Sequence, residues 1–177
     1  MKKIKFYLKR IYRLTLSNEK QESLVWKELK KLHKDAEWDS GIYEKDKTIE
    51  TVFKISETNV TTFYYMIYDG CYHCRVKILE DFNSEFTTDL FILAAHFNNI
   101  LNNGVVVVNV HNNFVEYHQK RELLTPLLFP GEIYGQLINH NKISKDIFGA
   151  FQRLIYEQQA PAIIIADLLK KNENNSN

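Results

Sequence analysis

Apolar residues in this chain change their spacing twice. Up to about residue 33 they recur every three or four positions: Ile4, Leu8 and Ile11 over 3–14, then Leu24, Leu29 and Leu32, with Val25 beside them, from Ser17 or Asn18 onward. That spacing lays an apolar stripe along each of two helices. After "WDSGIYEKD" the period falls to two, and residues 48–56, 59–68 and 71–80 read as three strands rich in β-branched and aromatic side chains. Asp69-Gly70, between the last two, predicts a two-residue type I′ turn. Both of its positions need positive φ, which Gly adopts freely and Asp tolerates.

The helical period returns at 83–104. Asn83 or Ser84 stands as N-cap, Phe86, Leu90, Leu93, Ala94, Phe97 and Leu101 form the stripe, and Gly104 is placed to end the helix in a left-handed conformation. Residues 105–110 and 114–121 then form a second hairpin around Asn112-Asn113, with Val108 opposite Tyr117 and Val110 opposite Val115. The last third is helical: a turn or two from Glu132, a helix capped by Ser144 with Ile143 and Phe148 at staple spacing, and a final helix from Pro161. These elements predict an α+β fold in which an antiparallel sheet of about five strands packs against helices, in the order α-β-β-β-α-β-β-α-α. Residues 1–16 read as a basic amphipathic arm, 17–170 as a single domain, and 171–177 as a disordered polar tail.

Strand alternation decides what "DGCYHC" can do. With Asp69-Gly70 as the turn, one face of the hairpin carries Phe63, Tyr65, Ile67, Tyr72, Cys74, Val76 and Ile78, which is a core face. The other carries Tyr64, Met66, Tyr68, Cys71, His73, Arg75 and Lys77, and is expected to be partly solvated. Cys71 and Cys74 then point to opposite sides and do not share one ion. Thioredoxin-like motifs open a helix, whereas "RVKILE" continues a strand, and a c-type haem site would need His where Arg75 stands. Both cysteines are therefore expected to be structural, reduced thiols. No metal or cofactor is expected.

Charge adds one asymmetry. The 23 Lys and Arg nearly balance the 22 Asp and Glu, yet residues through Lys34 carry eleven basic and three acidic side chains. A general nucleic-acid binder is not expected from a net charge of +1. The basic helices instead suggest a solvated face, with contact to an anionic surface, a membrane reached through residues 1–16 or a nucleic acid, as the alternative. Lys5, Lys9, Arg10 and Arg13 interrupt any secretory h-region, and two cysteines without an export signal fit a cytoplasmic setting. An enzyme or metal-binding domain would have to recruit Cys71, His73, Glu116 and His118. No Gly-rich phosphate loop, GxSxG elbow or HExxH motif accompanies them.

The order of elements, together with "FNNILNNGVVVVNVHNNFVEYHQ", resembles the YbjN family, bacterial proteins assigned to the regulation of sensory transduction and similar in fold to type III secretion chaperones. The resemblance implies a non-enzymatic module that binds other proteins, works as a homodimer and has no catalytic residues to carry over. The candidate partner-binding face is Tyr64, Met66, Tyr68, His73, Arg75, Phe114 and His118. The candidate dimer surface is Val105 and Val107 with Ile163, Ile164 and Ile165, since apolar runs left open on a chain call for cover. Because the strongest core pattern begins at Leu24, removing residues 1–16 is expected to leave a cooperative two-state transition in denaturant. Loss of that transition would place Ile4, Leu8 and Ile11 in the core.

Overall fold

The computed structural model describes Leu8 and residues 10–174, the last four as backbone alone. Helical turns over 10–14 (α1) precede α2 (Asn18–Asp35), followed by β1 (Ser40–Tyr43), β2 (Thr48–Lys54), β3 (Val60–Tyr68) and β4 (Cys71–Glu80). A 3₁₀ turn (Ser84–Phe86) leads into α3 (Thr87–Ile100), then β5 (Val105–Asn109), β6 (Phe114–Glu122), α4 (Leu124–Leu128), α5 (Glu132–Ile155) and α6 (Pro161–Asn174). The fold is α+β. Its sheet has six strands in the order β1-β2-β3-β4-β6-β5.

The described residues gather into two compact units. The first comprises those up to Phe53 with Thr62–Arg75 and Gln119–Asn141; the second comprises Lys54–Thr61, Val76–His118 and those from Lys142 on. In the first unit the inner side of the strands is set by Ile49, Thr51, Phe63, Tyr65, Ile67, Tyr72 and Cys74, all buried together with Val25, Trp26, Leu29 and His33 of α2. In the second unit Leu90, Leu93, Ala94 and Phe97 of α3 are buried, and the Phe97 and Phe151 rings stack at 6.2 Å.

Several expectations need correcting. Ser40–Tyr43 is a strand that the alternation did not signal, since only Ser40 is less than exposed and Gly41 interrupts it. The β5–β6 ladder pairs Val106 with Tyr117 and Val108 with Val115, two residues away from the predicted register. A shift of two preserves which side chains share a face, so the faces stand while the turn lengthens. Val110 leaves the strand and is exposed. Gly104 is not left-handed: α3 ends at Ile100, and Leu101 turns extended at φ −79°, ψ 118°. Ser144 is no cap, because α5 runs unbroken through it and buries it. Leu124–Leu128 forms a short helix of its own, and α6 keeps residues 171–174 helical where a tail was expected. The expectations for residues 1–7, 9 and 175–177 lie outside the described residues.

The β3–β4 turn is as expected, with Asp69 at φ 52° and Gly70 at φ 63°. It is held from α2. The Glu22 carboxylate accepts Gly70 N–H at 2.9 Å and Lys47 Nζ at 2.7 Å, while Ile67 N–H donates to Lys47 O at 3.1 Å. One carboxylate thereby fixes α2 to the β1–β2 and β3–β4 turns. Partial burial works against its ionisation, but the hydrogen bonds from Lys47 and Gly70 outweigh that and lower its pKa. Glu22→Ala is expected to cost about 1–3 kcal/mol in urea denaturation at neutral pH, since it leaves a main-chain donor and an ammonium without their acceptor. Glu22→Gln, which keeps an acceptor for Gly70, should lose less; equal losses would assign the whole effect to the Lys47 pair.

Candidate functional site

The hairpin of the first unit turns Tyr64, Met66 and Tyr68 of β3 away from the buried Phe63, Tyr65 and Ile67, so these three form its outer side. Tyr68 is 41% exposed and lies flat on the His73 ring, centroids 3.9 Å apart and planes within 3°. Arg75 Nη2 reaches the Tyr68 hydroxyl at 3.4 Å. Val52 of β2 is also exposed, and on the strand edge Tyr43 donates to Glu50 at 3.1 Å. An aromatic plate with a guanidinium at its rim therefore faces outward.

Cys71 and His73 were expected to be partly solvated and are instead buried, at 8% and 3% exposure. The stacked Tyr68 ring lies over His73 and excludes water from that face. Burial, with Lys120 and Arg75 nearby, lowers the His73 pKa against the smaller opposing pull of the Tyr68 carbonyl and Asp69. Both cysteines are free thiols. Cys74 is buried, which pushes its pKa up to about 12 even with Tyr72 and Arg121 beside it. A thiol held so strongly protonated is no nucleophile.

The second unit holds the remaining sequence candidates. Phe114 is half-buried with Lys77 Nζ 5.8 Å from its ring centre, and Glu116 and His118 stand opposite Val107 and Val105 in the ladder. Val105 and Val107 are each 41% exposed. Of the apolar run in α6, Ile163 is exposed and Ile165 half-buried, whereas Ile164 is fully buried and drops out of any dimer surface. Among the described residues no group of three or more His, Cys, Asp or Glu side chains could hold a metal ion.

Sequence reasoning missed a buried polar triangle. His33 Nδ1 lies 3.0 Å from Ser40 Oγ and 3.1 Å from Thr51 Oγ1, and the two hydroxyls are 2.9 Å apart. His33 is 1% exposed, with Trp38 edge-on at 5.0 Å and Tyr65 at 5.3 Å. A serine beside a histidine invites comparison with a catalytic dyad. Here the same ring nitrogen serves both hydroxyls, and burial lowers the histidine pKa to about 4. A general base works best near the operating pH, so the triangle is a structural link between α2, β1 and β2. One signal for it was available: His33 follows Leu29 by four residues, on the buried stripe of α2.

No helix among the described residues is long and apolar enough to cross a membrane. Comparison with protein-family models, with curated proteins and with solved structures finds no match to this chain.

Burial of the His33 ring makes stability depend on pH. His33 titrates at about 4 in the folded chain against 6.5 for an ordinary histidine, so as pH falls the unfolded chain takes up the proton first. The stabilisation is complete above pH 6.5 and is lost as pH falls through 4, to a total of about 3 kcal/mol. Urea unfolding from pH 7 down to pH 4 should show wild type losing stability more steeply than His33→Gln. Parallel pH profiles would refute the assignment.

Proposed function

We propose that this chain is a non-enzymatic, regulatory protein-binding module, and that it engages its partner through the outer side of the β3–β4 hairpin. One observation carries the reading: Tyr68 presents an exposed ring immobilised on His73, with Arg75 at its hydroxyl. Rigid aromatics and arginines dominate binding energetics at protein interfaces because they bury much area at little entropic cost. The chemistry of the Cys74 thiol points the same way, since burial holds it protonated, far from its reactive thiolate form. The resemblance to the YbjN family fits a regulatory or chaperone-like role, and a cytoplasmic homodimer is part of the proposal.

Contact with an anionic surface through the N-terminal helices has less support. Lys30 pairs with Glu44, and Arg13 lies 3.9 Å from Glu28 while donating to the Leu127 carbonyl at 3.4 Å. These acidic partners neutralise part of the basic face.

Affinity purification from the native host with Tyr68→Ala and Arg75→Glu as baits tests the reading, with Lys31→Glu on the exposed side of α2 as control. The two hairpin variants should each weaken capture of a partner about 10-fold or more, and the control should not. A partner retained equally by all three baits would remove the hairpin from the interface.

A further inference from the structure

The outer edge of β5 is occupied by a side chain. β5 ends the sheet order beside β6, and in the second unit Asn98, near the end of α3, places its amide against the strand. Val106 N–H donates to Asn98 Oδ1 at 2.7 Å, and Asn98 Nδ2 donates to Val106 O at 3.0 Å. One carboxamide thus takes both main-chain groups of one residue, as the peptide of a neighbouring strand would. Because those groups point away from β6, the period of two turns the main chain of Val108, and of Gly104 just before the strand, the same way.

An added antiparallel strand needs consecutive outward residues. Asn98 holds the middle one of three, so the two positions left open are four residues, about 13 Å, apart. Edges are commonly protected by charge, proline or bulges. "VVVVN" contains neither charge nor proline, and Val105 and Val107 are exposed beside it.

We propose that Asn98 guards this edge, closing β5 to strand addition, and that the partner it excludes is β5 of a second copy. An uncharged valine run pairs antiparallel with itself without opposing like charges, and a net charge of +1 gives the chain little long-range self-repulsion. The guard does not depend on the hairpin reading, which concerns the first unit. It also means that any homodimer of the wild type forms by a surface other than pairing along the β5 edge.

Sedimentation velocity of Asn98→Ala against wild type is the test. The variant should show a concentration-dependent species of twice the wild-type mass, abolished by adding Val107→Lys. In wild type, hydrogen exchange at the Val106 amide should be about 100-fold slower than at Val108. If Asn98→Ala does not fold, that comparison in wild type decides alone. Sedimentation identical to wild type, association that survives Val107→Lys, or equal exchange at Val106 and Val108 would each overturn the proposal.

Discussion

A strand must send alternate side chains to opposite sides, and in the first unit the two sides meet different surroundings. Ile49, Thr51, Phe63, Tyr65 and Ile67 are buried, while Val52 and Tyr68 are exposed and Glu50, Tyr64 and Met66 are half-buried. A polar group on the inner side has only buried partners within reach. His33 finds them at Nδ1, in Ser40 and Thr51, which lie opposite one another in the β1–β2 ladder. The triangle is thus a product of strand register: a one-residue slip of β1 against β2 would carry the Ser40 hydroxyl outward and break the triangle.

The same constraint sets the protonation of the titratable groups it encloses. Cysteine, histidine, serine and tyrosine are all present around the β3–β4 hairpin and α2, yet burial favours the neutral form of each ionisable group it encloses. Protons are held on the Cys74 thiol and kept off the His33 ring. The outer side offers the Tyr68 ring, the Arg75 guanidinium and the thioether of Met66.

Local chemistry in the sequence was legible where it is decided within a few residues. Asp69-Gly70 specified its turn because only positive φ closes a two-residue hairpin, and the stripe of Leu90, Leu93, Ala94 and Phe97 specified the buried side of α3. The β5–β6 register was legible only modulo two, since alternation fixes faces and not turn length. Ser144 looked like a cap because the local pattern of a helix start also occurs inside helices, and here α5 runs through the residue and buries it. Neither Glu22 nor Asn98 carried any signal. Glu22 acts on Gly70, 48 positions away, and Asn98 looks in sequence like any polar residue late in a helix.

The burial of Cys74 gives the chain a built-in clock. An alkylating or disulfide reagent attacks the thiolate, and this thiol is both enclosed and held protonated to about pH 12, so reagent meets it only in molecules that have opened around β4. When reclosing is fast, the labelling rate measures the free energy of that opening; when reagent outpaces reclosing, it measures the opening rate itself. Cys71, near the turn at the start of the same strand, supplies a second reading from a different depth, so two thiols three residues apart time the fraying of one strand against the loss of its core.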